Sequence, residues 1–122
     1  MKEGAEVVEA DIAGLESIWS SGMEETYGFY RSSAAPKVAL AAALVESAVE
    51  LQGLGGPAPD PLRLLLGDLC LARASRLLAE CGDQRLQVGF ARAVERVSAA
   101  ASGGPEVAPL RQQLVATIGA EP

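Results

Sequence analysis

The chain has 122 residues, 49% of them hydrophobic but only five aromatic, no histidine, two cysteines and a formal charge of −6. One domain of that length buries roughly two-thirds of its unfolded surface, so residues 1–122 are read as a single domain that needs neither disulfide nor metal to fold. A nucleic-acid partner is excluded, because a phosphate backbone demands a basic surface and the first 30 residues hold seven acids against one lysine. The longest apolar run, Val38 to Val45, is too short to span a bilayer. No basic segment and cleavage site precedes a hydrophobic stretch at the N-terminus, which predicts a cytoplasmic protein.

The pattern predicts helices throughout. Val8, Ile12, Leu15 and Trp19 recur at steps of three and four, the signature of an amphipathic helix over Glu3 to Ser20, with Gly22 placed to stop it. Tyr27 to Ser33 reads as a connecting loop. Pro36 starts a second helix, as proline suits a first turn, running to Gln52. Its alanines allow close approach of neighbours, which predicts a central position. Gly53 to Pro59 breaks it.

Asp60 followed by Pro61 is an N-cap with proline at the first helical position, opening a third helix to Glu80 with Gly82 as its stop. Leu62, Leu65, Leu66 and Leu69 share one face of it, and Leu64, Leu71, Ser75 and Leu78 lie nearly opposite. A helix apolar on two faces is normally buried on two sides, which predicts oligomerisation. Asp83 caps a fourth helix to Ala101 with a stripe of Leu86, Phe90, Ala93, Val94 and Val97. A short last helix carries Val107, Leu110, Leu114 and Ile118, stopped by Gly119. No segment alternates as a strand does. The fold class expected is all-α, a bundle of about five helices.

Catalytic candidates are few. Without histidine the commonest general base and metal ligand is missing, and the only lysines are Lys2 and Lys37. Glu46 and Glu50, one helical turn apart, could bind a divalent cation or share a proton, but with no further ligands a solvated face is the stronger reading. Gly53 to Gly56 lacks the Lys-Ser/Thr of a phosphate-binding loop and is read as a turn. Cys70 and Cys81 are about 16 Å apart on one helix, beyond disulfide reach, and are read as two buried small hydrophobes. No catalytic, cofactor-binding or metal residue is assigned.

One stretch is more specific. Leu65-Leu66-Gly67-Asp68-Leu69-Cys70-Leu71-Ala72-Arg73-Ala74, then Leu77-Leu78-Ala79 and Gly82-Asp83, resembles the trans-type polyprenyl diphosphate synthase family, in which a helix reading LxGDxLLARAxxLLA follows the first aspartate-rich motif. Arg92-Ala93-Val94 is similar to that family's next helix, and the likeness covers roughly residues 27–101. Pro36 stands where the family has the proline of Gly-Lys-x-x-Arg-Pro, but Ser32 and Ala35 occupy the lysine and arginine positions. At the family's His-Asp-Asp-x-x-Asp this chain reads Gln52-Gly53-Leu54-Gly55-Gly56-Pro57. Ionising an allylic diphosphate needs Mg²⁺ and cationic side chains on the leaving group, and those positions hold neither the carboxylates nor the cations.

The resemblance therefore implies the N-terminal part of the isoprenoid synthase fold and a non-catalytic small subunit of a heteromeric hexaprenyl- or heptaprenyl-type synthase. Such a subunit would have no cofactor of its own, with Mg²⁺ confined to the large catalytic partner, whose activity and product length it would support. By the family's architecture its partner interface falls on helices three and four, at Leu69, Leu71, Arg73, Arg76, Phe90 and Val94. The alternative is a small helical homodimer acting as an adaptor or structural protein.

Overall fold

The computed structural model describes residues 9–53 and 57–120, and these are all-helical, with five principal helices and no strand. A 3₁₀ turn, Glu9–Ile12, leads through a single helical turn, Glu16–Ile18, and a wide turn, Trp19–Met23, into α1 (Glu24–Arg31). Then follow α2 (Pro36–Gln52), α3 (Pro61–Cys81), α4 (Gln84–Ala101) and α5 (Leu110–Gly119).

The helix starts follow their local signals closely. Pro36 occupies the first turn of α2. Asp60 accepts from the Arg63 N–H at 2.9 Å and Asp83 from the Leu86 N–H at 3.3 Å, each satisfying one orphan donor of a helix N-terminus. Gly53 and Gly82 cap the other ends of α2 and α3.

α2 is the centre of the molecule. Eleven of its seventeen residues are buried, with α1, α3, α4 and α5 all packed against it. Its pairing with α3 is the most extensive in the fold and is antiparallel. Lys37 at its start bonds Glu80 at the end of α3 at 2.9 Å, and the Glu50 carbonyl near its end accepts from Arg63 near the start of α3 at 3.2 Å. Gly67 lies at a close approach of the two helices. A Cβ there would stand 3.1 Å from the Gln52 Cγ and 3.4 Å from the Ala48 carbonyl oxygen, so a side chain at this position requires the Gln52 side chain to shift by a few tenths of an ångström.

Several sequence expectations are corrected. The single helix expected from Glu3 to Ser20 is interrupted. Its stretch from Glu3 to Val8 lies outside the described residues, and the turn at Ala13–Gly14 breaks the rest, with Gly14 at φ 85° in the left-handed region that glycine enters without penalty. Leu15 after the break is fully buried. Gly22 marks a kink, and the chain continues helically beyond it.

The expected loop at Tyr27 to Ser33 is α1 as far as Arg31. Met23, Tyr27 and Tyr30 recur at steps of four and three and are all buried, and burial of that stripe outweighs the weak helix preference of aromatic residues and Gly28. Within the single chain only one of the two leucine faces of α3 is covered. Its buried stripe is Gly67, Cys70, Ala74, Leu77 and Leu78, while Leu62 and Leu65 are 63% and 65% exposed. Cys70 is buried as expected, but Cys81 is exposed, because it lies in the last turn of α3 beyond the stripe that meets α2; both thiols are free. Asp68, the odd acid within this apolar helix, faces solvent and so needs no protein partner. No helix among the described residues is long and apolar enough to cross a membrane.

Candidate functional site

The six residues expected at a partner interface separate into two groups. Leu71 from α3 and Phe90 and Val94 from α4 meet in an apolar groove of about 390 Å³, with Leu78 beside them and Val45 of α2 in its wall. Phe90 is almost wholly buried, Leu71 and Val94 partly so. The groove lies where Leu71, Ala74 and Leu78 of α3 meet Phe90 and Val94 of α4. Ser75, Gln87 and Glu95 are the polar residues along it. A concave, mainly apolar surface with few polar groups suits an apolar side-chain cluster from another chain.

Leu69, Arg73 and Arg76 serve a different purpose. Arg73 donates to three backbone carbonyls of the N-terminal segment, those of Ala10 at 3.4 Å, Asp11 at 2.9 Å and Ala13 at 2.8 Å. Arg76 donates to the Asp11 carboxylate at 3.0 Å, and Leu69 packs 3.5 Å from where a Cβ of Gly14 would lie. These contacts hold the 3₁₀ turn against α3, so the three residues belong to an intramolecular clamp in the isolated chain.

A polar network without a counterpart in the sequence pattern joins α1, α2 and α5. Glu46, expected on a solvated face with Glu50, is partly buried. Its two oxygens accept from Arg111, Nε at 2.8 Å and Nη2 at 3.0 Å, and the Tyr30 hydroxyl donates to the same carboxylate. The Arg111 guanidinium lies 4.4 Å from the centre of the Phe29 ring, a cation–π geometry. Burial first, and then the Glu46 carboxylate that accepts its proton, hold the Tyr30 hydroxyl above its ordinary range. The hydrogen bonds to Glu46 likewise raise Arg111. The one available sequence signal is Glu46 itself, a lone acid following the eight-residue apolar run of α2. Its partner sits 65 residues away, and no local pattern links the two.

The positions that the family resemblance marks as altered lie on the α1–α2 side of the fold. Ser32 is exposed in the connection between those helices and Ala35 stands at its end, just before Pro36. Gly53 ends α2 with φ 58°, and Leu54 lies outside the described residues. Among the described residues no three acidic, cysteine or histidine side chains converge as a cation site would require. Burial pushes the Cys70 thiol up to about 11, which suppresses the thiolate that nucleophilic chemistry would use.

No protein-family model, no curated protein and no solved structure matches this chain.

Proposed function

We propose that this chain is a non-catalytic subunit that acts through a protein partner, and that the partner is the large catalytic chain of a hexaprenyl- or heptaprenyl-type trans-polyprenyl diphosphate synthase in the cytoplasm. The observation that carries the first half is the groove between α3 and α4, where Leu71, Phe90 and Val94 gather around an unfilled apolar hollow. Support for the second half is the Leu65–Ala74 motif together with the antiparallel α2–α3 hairpin on which it lies. In this role the chain binds neither substrate nor magnesium, and its apolar face helps shape the partner's product tunnel.

Co-expression with a full-length synthase from the same genome tests the reading. The expected result is co-purification and a change in activity or product length. Placing a charge on the exposed groove residue Ala91 with Ala91→Glu should abolish both while the thermal midpoint stays put. Unchanged products and no co-purification would sink the proposal.

A second reading, a homodimeric adaptor, is favoured by one observation, the exposed Leu62, Leu64 and Leu65 at the start of α3. It predicts a stable homodimer in sedimentation that Leu65→Glu converts to monomer, whereas the subunit reading predicts that this substitution leaves partner binding intact.

A further inference from the structure

The apolar surface between α3 and α4 extends beyond the groove itself. Leu64, Leu71 and Leu78 follow one another at seven-residue spacing, which places them on one face of α3 over about 21 Å. Leu71 and Leu78 line the groove, and Leu64, 44% exposed, continues their line toward the start of α3. On the other wall Phe90 and Val94 stand one above the other on α4. The seam stays open because α4 packs against α3 far less extensively than α2 does. A line of leucines at this spacing is the surface along which another helix lies, its own apolar stripe meeting them turn by turn.

Both edges of the seam carry an acid. Asp68 and Ser75 stand four residues after Leu64 and Leu71, on the flank of the leucine line, and both are exposed. Glu95 is exposed on the α4 side of the groove. Neither Asp68 nor Glu95 has an ion pair among the described residues, and no lysine or arginine lines the groove. The nearby arginines are turned elsewhere. Arg73 and Arg76 are held to the N-terminal turn and Arg85 to α5, while Arg92 and Arg96 are each two residues from Val94 and so on the far side of α4. Charges flanking an apolar seam select which helix docks there and in which orientation.

We propose that the α3–α4 seam receives a single amphipathic helix of the partner, about four turns long, with leucine-type side chains on one stripe and lysine or arginine on both flanks. The stripe fills the hollow over Leu71, Phe90 and Val94, and the cations reach Asp68 on one edge and Glu95 on the other. An anionic lipid surface would be repelled by the same two acids. This docking rests on the reading above that the chain works through a protein partner, but does not require that partner to be a prenyl synthase.

The test is a backbone-amide NMR titration of the full chain with a synthetic helical peptide of about four turns, built with a leucine stripe flanked by lysines. One control peptide scrambles the order and another replaces every lysine with glutamate. Saturable shifts centred on residues 64–78 and 87–98 are expected with the lysine peptide alone. The double variant Asp68→Lys and Glu95→Lys alters two exposed positions and should keep its thermal midpoint. It should bind the lysine peptide about tenfold more weakly than the parent and gain affinity for the glutamate peptide. Shifts centred elsewhere, equal binding of either control peptide to the parent, or a double variant that titrates like the parent would overturn the proposal. Retention of the synthase by the double variant at the parent's level would also overturn it, while leaving the synthase reading intact. If the peptide results hold but the synthase does not co-purify with the parent, the docking helix stands and only the synthase reading falls.

Discussion

The α2–α3 hairpin and the segments that flank it are held by different physics. Within the hairpin, contact is between small and apolar side chains, as where Gly67 meets Ala48 and Gln52, and Leu44 and Leu77 are fully buried. The flanks are fixed by arginines. Arg73 and Arg76 hold the 3₁₀ turn onto α3, Arg111 ties α5 to Glu46, and Arg85 donates to the Thr117 carbonyl at 2.6 Å to join α4 to α5. Burial of apolar surface is non-directional and spread over many contacts, whereas an arginine clamp is a handful of directional bonds that open one at a time. The centre should therefore report on global stability and the flanks on local opening.

The most severe way to test that division is to cut into the centre. Leu44→Ala leaves a cavity on the fully buried side of α2, and such truncations cost about 2–5 kcal/mol. Urea unfolding followed by circular dichroism should show the whole molecule losing about 3 kcal/mol in a single transition. Loss confined to one helix would contradict the assignment of α2 as the common core.

The next effect is on pH. Burial raises the Cys70 thiol from its ordinary 9.0 to about 11, so the folded state binds that proton more tightly than the unfolded state. Its contribution is complete below pH 9 and is lost as pH climbs toward 11, at a limiting slope of about 1.4 kcal/mol for each step of one pH unit. Stability should fall by roughly 2 kcal/mol across that window. Cys70→Ala, whose own truncation cost is the same at every pH, should flatten the decline. The raised Tyr30 and Lys37 act in the same direction at higher pH, so part of the slope remains in the variant.

The flank clamps give smaller, local effects. Arg73→Ala removes three bonds to the Ala10, Asp11 and Ala13 carbonyls. Limited proteolysis should then cut near Ile12 several times faster, with a global loss of about 1 kcal/mol. Arg111→Ala removes a half-exposed pair with Glu46, for which solvent screening leaves about 0.5–1 kcal/mol. Hydrogen exchange should speed up in α5 and leave the α2–α3 hairpin unchanged. Equal acceleration in both regions would erase the distinction between centre and flanks.

Legibility in the sequence differs by element. α2 and α4 end at the residues their caps and breakers indicate, and α3 runs one residue further, because Pro36, Asp60-Pro61, Asp83 and the glycines act within a single turn. α1 reads as a loop, since its Gly28 and aromatics are poor helix formers alone and only the core beneath Tyr27 and Tyr30 makes a helix worthwhile. For the expected interface, three of six residues, Leu71, Phe90 and Val94, reach one groove. Leu69, Arg73 and Arg76 face the N-terminal turn, and the arginines reach partners more than sixty residues distant in sequence.

Local pattern was enough to specify an all-helical chain, the starts and stops of its three longest helices, and the central place of an alanine-rich α2. Those properties rest on periodicity and capping, which act over at most a few turns. Packing was needed to establish that α3 buries Gly67, Cys70, Ala74, Leu77 and Leu78 and leaves Leu62 and Leu65 to solvent. It also made Glu46 a hub for Tyr30 and Arg111, and formed the groove between α3 and α4. Each of these depends on which distant groups are brought together, and a linear pattern carries no record of that until the helices have packed.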